Sequence, residues 1–424
     1  MLKRFIESLL PRSVYRVLLL PYHFLWAFLS AVWYGFPGKK LTVVGITGTK
    51  GKSSVAEMLY AILTVAGHKT AIAGTIRFAV GAESRPNLYK MTVPGRGFLQ
   101  SFLAKAHKKG ATHAVLELTS ESALQYRHLF LDLDALVFTN LQREHIESHG
   151  SFEKYFNAKF RLAKALIASA KRPRAIIANT DDDRGSRFLN IPVDKGIPFS
   201  LSDAQAVVPK DGSVSFLYKG TRFDIPHPGS MSVLNALAAV KAAEFLGVDP
   251  EVSAKALAAL TRIPGRAERI EAGQDFVAVV DYAHTPDSLR ALYAAYPTQR
   301  KICVLGNTGG GRDTWKRPLM GSIADEACAE VILTNEDPYD EDPMQILEEM
   351  QKGMKREARI ILDRREAIRT ALALGKHGDA VLVTGKGTDP YIMGAKGAKT
   401  PWSDAAVVRE ELEKIRMSSP SVTP

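Results

Sequence analysis

The sequence predicts an α/β protein with two mostly parallel sheets and an apolar helical segment ahead of them. Three observations carry this. The stretch GITGTKGKSS, Gly45 to Ser54, joins the apolar run LTVV to a segment with helical periodicity. Two successive strand–helix alternations follow, over 41–264 and 265–424. A 19-residue run, Leu18 to Phe36, carries His23 as its only ionisable side chain apart from tyrosine. The alternations imply a P-loop-type central domain and a C-terminal Rossmann-like α/β domain, with residues 1–40 as an apolar N-terminal segment.

The loop comes first in the argument. After it, Val55, Met58, Leu59, Ile62 and Leu63 fall at i, i+3, i+4, i+7 and i+8, the pattern of an amphipathic helix. A glycine loop between strand and helix turns backbone N–H groups and the helix N-terminus toward an anion, and a lysine adds a point charge. Gly51-Lys52-Ser53 matches the phosphate-loop pattern, but Ile46 stands where its first glycine belongs, with glycines at 45 and 48 instead. The competing reading is an ordinary strand-to-helix turn with a serine N-cap. Three glycines, a Lys-Ser pair and a clean following helix together favour nucleotide phosphate.

Length and composition set the class. A chain of 424 residues makes about three domains. With 46% hydrophobic and 24% charged residues it is globular. The net charge of +11 is spread along the chain with no arginine-rich arm, so no nucleic-acid partner is expected. The charge suits anionic small molecules or a membrane surface. Cys303 and Cys328 are the only cysteines, too few for a disulfide framework or a cysteine-rich zinc site, which fits a reducing cytoplasm.

Elements follow in order. Leu18–Phe36 is flanked by Lys3, Arg4, Arg12 and Arg16 on one side and Lys39 and Lys40 on the other. Its length suffices to span a bilayer, while Pro21, His23 and the aromatic ends suit the membrane interface, or a helix packed on the protein. THAVLEL (112–118), ALVFTNL (135–141) and AIIANTD (175–181) read as strands, and FEKYFNAKFRLAKALIASA as a helix. SFLYKGTRFDI reads as a hairpin turning at Lys219-Gly220. SVLNALAAVKAAEFLG is an alanine-rich helix ending at a C′ glycine, and IPGRAERIE forms a joint. FVAVVDYA, KICVLG, EVILTNE, RIILD and DAVLVTG are the strands of the second series, and the tail SSPSVTP reads as disordered.

Ligands of open α/β sheets bind beyond the carboxyl ends of the strands. Those ends carry Glu117, Asn140 and His145 in the first series, and Asp281, His284, Asn307, Arg312, Asp337 and Lys386 in the second. Each alone has a bland reading, as a turn cap, an ion-pair partner or a surface histidine. Together, TGTKGKSS, TNLQREHIESHG, YFNAKFRLAKAL, DYAHTPDSL, GGGRDTWKRPLMG and GKGTDPY occur in one order. Over 41 to about 415 the chain resembles the Mur ligase superfamily, most nearly the UDP-N-acetylmuramyl-tripeptide synthetases.

The resemblance implies an ATP-dependent amide ligase: ATP phosphorylates a carboxylate, an amine attacks the acyl phosphate, and ADP and phosphate leave. It implies that Gly48, Thr49, Lys50, Gly51, Lys52, Ser53, Ser54 and Asn140 hold ATP in the central ATPase domain, with Lys52, Lys159 and His145 catalytic. Mg²⁺, as two ions, would be held by Ser53, Glu117, His145 and Lys159. His145 and Lys159 are 14 residues apart, the family spacing between a metal-binding histidine and a carbamylated lysine; without the resemblance, Lys159 reads as one of several basic residues in its helix. From the second domain, Asp281, His284, Arg312 and Lys316 would meet the nucleotide, as would Arg266 at the joint. Asn235 and Asn179 match family positions near ATP more weakly, and both also suit caps. Thr92, Asp337, Tyr339, Lys386 and Asp389 would face the muramyl-peptide donor and the amino-acid acceptor.

Departures from the family pattern matter. Lys50 replaces an asparagine, and Thr388 interrupts the usual GKGHED-like form. Where the diaminopimelate motif reads Asp-Asn-Pro-Arg, this chain has NEDPYDED, with Tyr339 for the arginine and carboxylates around it. That favours an acceptor with a second amine over diaminopimelate. The family's N-terminal UDP-binding domain has no counterpart ahead of residue 45. If Leu18–Phe36 meets a membrane, the donor is lipid-linked and the protein sits at the inner face of that membrane; otherwise it is cytoplasmic and the donor UDP-linked. A monomer is expected. Two other readings remain: a folylpolyglutamate- or cyanophycin-type ligase, and a non-ligating Mur-ligase-like module acting on lipid-linked precursor.

Overall fold

The computed structural model describes residues 12–144, 149–210, 212–311 and 313–418. The chain divides into two compact units: Met1–Gln142, Ser151–Asp203 and Leu237–Ala256 form unit 1, and Arg143–Gly150, Ala204–Ala236 and Leu257–Pro424 form unit 2. His145, Arg312 and tail residues 419–424, all named above, lie outside the described residues.

The described part of unit 1 opens with helix α1, Arg12–Trp33, which begins before the apolar run and contains Pro21. Strands β1 (Thr42–Thr47), β2 (Thr70–Ala73), β3 (Arg77–Val80), β4 (Glu83–Pro86), β5 (His113–Glu117), β6 (Ala135–Phe138), β7 (Ala175–Asn179) and β8 (Lys195–Phe199) form one sheet. Its order is β4-β3-β2-β5-β1-β6-β7-β8. The strands from β2 to β8 run parallel, and β3 and β4 add an antiparallel edge. Val43, Val44, Ile46, Val115, Leu116 and Val137 are buried on strands covered on both faces, which is why these strands read as continuous apolar runs. Helices α2 (Lys52–Val65), α3 (Phe98–Lys108), α4 (Ser120–Leu124), α5 (Phe152–Ala168) and α6 (Gly185–Leu189) connect them. Phe138 of β6 stacks on Phe188 of α6 at 4.1 Å between ring centroids, tying sheet to helix.

β1 lies between β5 and β6, with Ile46 opposite Glu117 and Thr47 opposite Phe138. The loop after β1, the last residue of β5 and the residues after β6 therefore leave the sheet side by side. That is a topological switch point, where open α/β sheets bind ligands.

Unit 2 contains the antiparallel trio β9 (Gln205–Lys210), β10 (Ser213–Tyr218) and β11 (Thr221–Ile225). The hairpin turns where expected: Lys219 and Gly220 both have positive φ, 50° and 81°, as a type I′ turn requires. Helices α7 (Ser230–Phe245) and α8 (Pro250–Ala259) each contribute residues to both units. A second sheet follows, built from β12 (Glu268–Ile270), β13 (Val277–Asp281), β14 (Lys301–Leu305), β15 (Glu330–Leu333), β16 (Arg359–Ile360) and β17 (Ala380–Thr384). Its order is β12-β13-β17-β14-β15-β16, parallel except for β12. Helices α9 (Pro286–Ala294), α10 (Lys316–Ala327), α11 (Pro343–Gln351), α12 (Arg364–Leu374) and α13 (Asp404–Ser418) pack on it, and β18 (Tyr391–Met393) pairs with β19 (Lys399–Pro401).

One expectation needs correction. Cys303 on β14 and Cys328 at the C-cap of α10 are joined in a disulfide, with Cα atoms 6.1 Å apart. Both are buried in the core of unit 2. A pair 25 residues apart in sequence carries no spacing signal, so only the fold brings them together, and cysteine usage no longer argues for a reducing compartment.

Candidate active site

The loop between β1 and α2 needs its glycines. Gly48 has φ 146° and Gly51 has φ 82°. A Cβ on Gly48 would stand 1.9 Å from Thr139 Oγ1, so only glycine fits. The residues after β6 hold the loop in shape. Asn140 O accepts from Thr49 N at 2.8 Å. Asn140 Oδ1 accepts from Lys50 N at 2.9 Å, while its Nδ2 donates to Lys50 O at 3.2 Å. Thr139 Oγ1 donates to the same carbonyl at 2.6 Å, and Gln142 N donates to Thr49 Oγ1 at 3.0 Å. Asn140, expected to touch nucleotide, thus acts first as a clamp on the loop. Asn179 donates to Thr139 O at 2.9 Å and steadies the clamp from behind.

Around this loop the predicted residues of unit 1 gather. Lys52 Nζ donates to Thr49 O at 2.9 Å. Ser53 and Ser54 are buried in the first turn of α2. Ser53 Oγ lies 3.1 Å from each oxygen of the buried Glu117 carboxylate. Lys159, on α5, is 2% exposed; its Nζ donates to Gly48 O at 2.7 Å and sits 4.6 Å above the Tyr155 ring. Tyr155 OH lies 3.1 Å from Thr49 Oγ1.

Sequence reasoning missed Thr75, which links this cluster outward. Its N–H donates to Glu117 Oε2 at 2.8 Å and its hydroxyl donates to Oε1 at 3.0 Å, while Thr92 Oγ1 lies 2.8 Å from the same hydroxyl. Phosphate loop, Ser53, Glu117, Thr75 and Thr92 form one continuous polar chain. Thr75 stands just beyond the carboxyl end of β2, a strand not identified from the sequence. Ser53 and Glu117 offer only oxygen donors, the set that a hard cation such as Mg²⁺ takes beside phosphates.

Unit 2 brings a second group together. Asp281, ending β13, accepts from Ala267 N at 2.6 Å and Ala283 N at 2.7 Å, so it ties the joint to the strand end. Burial raises its pKa above the usual carboxylate value, against the pull of these N–H bonds. The Asp389 carboxylate, then burial, pushes the Tyr282 phenol well above its ordinary value, although the Arg266 guanidinium 4.7 Å from its ring opposes this. His284 stands between Tyr282 O at 2.6 Å and Glu144 Oε1 at 2.8 Å, and Lys316 Nζ donates to His284 O at 3.1 Å. Asn235 is half-buried on α7.

Asp337, Lys386 and Asp389 also meet. Lys386 is fully buried, 2.8 Å from Asp337 Oδ1 and 3.2 Å from Asp389 Oδ2. Asp337 also accepts from Met393 N at 2.8 Å, and Tyr339 N donates to Met393 O at 3.1 Å. The acidic surroundings of Tyr339 differ from the expectation. Glu341 pairs with Arg317 at 2.7 Å, Asp340 accepts from Lys396 N, and Asp342 caps α11. These carboxylates serve the fold, so an open acidic pocket for a second ammonium is not what they make. Glu336 is the exception: it is buried, Oε1 accepts from Thr308 at 2.8 Å, and Oε2 has no hydrogen-bond partner among the described residues. A Cβ on Gly385 would lie 2.4 Å from that oxygen, so glycine keeps its approach open.

Comparison with known proteins follows the same two parts of the chain. The family described as Mur ligase middle domain matches residues 46–243, and that described as Mur ligase, glutamate ligase domain, matches residues 265–387. A protein of Syntrophomonas wolfei named UDP-N-acetylmuramoyl-L-alanyl-D-glutamate--2,6-diaminopimelate ligase is 38% identical over 402 residues, spanning 91% of this chain and 81% of that protein. One of the same name from Caldanaerobacter subterraneus is 36% identical over 400 residues, spanning 91% and 80%. A solved structure of a ligase of that name superposes with a TM-score of 0.61 at 30% identity, covering 89% of this chain and 79% of that one.

Proposed function

Because this chain belongs to the Mur ligase family, and is an ATP-dependent amide ligase of the peptidoglycan-precursor type, we propose that its donor is a muramyl peptide whose carboxylate is activated beside Lys52, Ser53 and Thr92. The observation that supports this best is the unbroken polar chain from the phosphate loop through Ser53, Glu117 and Thr75 to Thr92. It gives one end for ATP and one for a polar donor group. Ligases of this family use ATP and Mg²⁺; a divalent ion on Ser53 and Glu117 would neutralise charge on the transferring phosphoryl group.

The chain's own residues supply the rest. Loop N–H groups and the N-terminus of α2 bind the phosphates. Lys52 adds a positive charge that follows the phosphoryl group. Asn140 and Thr139 hold the loop in a shape that needs glycine at 48 and 51. Lys159, as a carbamate, would be an anion in place of a cation and would join the residues that hold a second Mg²⁺, which would supply further charge neutralisation. Asp281, His284, Arg266, Arg312 and Lys316 serve the nucleotide from the second domain, and Asp337, Tyr339, Lys386 and Asp389 the amino-acid acceptor. We infer domains of 41–264 and 265–424, a monomer, and a donor presented on UDP or on lipid at the cytoplasmic face of a membrane.

The test is phosphate release from ATP with a panel of muramyl peptides and amino acids. ATP-dependent amide formation with one pair is expected. ATP binding without turnover for any pair would remove the ligase reading and leave a binding module.

A further inference from the structure

An ordinary surface helix turns its apolar stripe inward. α1 does the opposite. Its buried positions along the described face are His23, Ser30 and Ala31, with half-buried Ala27 between them. Its exposed apolar positions are Leu20, Tyr22, Phe24, Leu25, Trp26, Phe28, Leu29, Val32 and Trp33, the last 84% exposed. The buried positions are small or polar, and the bulky apolar residues stay largely exposed, Phe24 and Phe28 included although each meets Phe130 edge-on.

The helix is nevertheless seated firmly. Phe24, Phe28 and Phe36 surround Phe130 edge-on, at centroid distances of 5.8, 5.7 and 6.3 Å. Arg96 lies 4.5 Å above the Tyr22 ring and donates to its hydroxyl at 3.0 Å. Between α1 and the segment 89–101 runs a groove of about 740 Å³, walled by Trp26, Leu29, Trp33, Tyr89, Met91 and Phe98. Leu88, Tyr89 and Met91 are exposed beside it and extend the apolar face. Thr92, at the outer end of the catalytic chain, is the next residue after Met91.

The electrostatics of this face are one-sided. No Asp or Glu occurs between Glu7 and Glu57, nor between Glu83 and Glu117. Those two stretches supply both walls, and they carry Lys39, Lys40, Arg85, Lys90 and Arg96. A broad apolar face rimmed by tryptophan and tyrosine, whose two walls carry cations and no carboxylate, matches the interface of an anionic bilayer. No described helix is long and apolar enough to cross a membrane, so the contact is with one leaflet.

We propose that the outer face of α1 and the 88–91 loop dock on an anionic lipid bilayer, with the groove taking hydrocarbon from the leaflet. This rests on the ligase reading in one respect: docking brings the Thr92 end of the donor site to the membrane surface, where a lipid-linked donor would be presented.

The test uses the full chain and vesicles of phosphatidylcholine with and without phosphatidylglycerol. Sedimentation should recover the protein with the anionic vesicles, and high salt should weaken that binding. The double variant Leu25→Asp/Leu29→Asp should lower the apparent affinity by about tenfold or more, since charge on an inserted face opposes burial in the leaflet. Brominated acyl chains should quench tryptophan fluorescence, and Trp26→Phe/Trp33→Phe should remove that quenching while sedimentation persists. Phosphate release with a soluble UDP-linked donor should be unchanged in both variants. Loss of activity in the intact chain without loss of vesicle binding would sink the ligase reading alone. Absence of vesicle binding, binding unaffected by Leu25→Asp/Leu29→Asp, or a stable dimer that this variant dissolves would overturn the proposal.

Discussion

Glu117 is held by Ser53 and twice by Thr75, so its orientation depends on a threonine no motif contains. Thr75→Val keeps the volume and removes the hydroxyl links to Glu117 and Thr92. We expect kcat/KM for ATP-dependent ligation to fall about tenfold with the melting temperature nearly unchanged, whereas Lys52→Ala should cost on the order of a thousandfold. Steady-state phosphate release beside thermal melting separates the two; a Thr75→Val enzyme of full activity would leave Glu117 independent of its partner. For Lys159, dialysis against CO₂-free buffer should lower activity and bicarbonate should restore it, while Lys159→Ala should respond to neither. A high-resolution map with an unmodified lysine in a fully active enzyme would end the carbamate proposal. Tyr339 predicts a selectivity. With no guanidinium fork at that position, diaminopimelate loses a bidentate partner for its distal carboxylate, so lysine or ornithine should give the higher kcat/KM. A clear preference for diaminopimelate would show that another group does the arginine's work. The residues singled out from the sequence were strand ends and motif positions to which the resemblance assigns a role: the loop, Glu117, Lys159 and Lys386. Thr75, Tyr155, Glu144 and Glu336 act through neighbours distant in sequence, and spacing cannot reveal them.

The long buried strands were readable because parallel strands covered on both faces are apolar throughout. β2, β3 and β4 were not: the apolar residues around β2 and β3 are broken at Gly74-Thr75 and Arg77, and β4 is exposed along its whole length. The hairpin at Lys219-Gly220 was readable because two consecutive positive φ values demand particular residues. α1 was legible as apolar, but periodicity alone could not say which face it turns outward. That depends on the seat around Phe130 and Arg96, which only the tertiary structure supplies. α4 illustrates the same limit at its end. His128, a few residues beyond it, is 3% exposed, and burial lowers its pKa to about 4. In the unfolded chain it binds a proton near pH 6.5, while in the fold it does so only near 4. Between those values the unfolded state holds more protons, so stability falls as pH falls, by about 3 kcal/mol in all. Denaturant unfolding of the wild type and His128→Gln from pH 7 to 4 should show a shallower pH slope in the variant; identical slopes would mean that the imidazole escapes to water without cost.

Across the whole molecule, the two units differ in what holds them. Unit 2 has a buried disulfide between Cys303 and Cys328 and a buried ion pair, Arg364 with Asp404 at 2.7 Å, whose partners would each be costly to strand alone. Unit 1 has neither among its described residues and depends on apolar packing and on α1. Phe130, the base of the seat for α1, is covered by Phe24, Phe28 and Phe36, and Ser30 lies against Gly97. Trimming the chain to begin at Lys39 would remove the stickiest stretch by composition and uncover the surface beneath it. The shortened protein should therefore handle worse in the absence of detergent: lower yield, a tendency to clump on concentration, and brighter staining with a dye that reports exposed apolar surface.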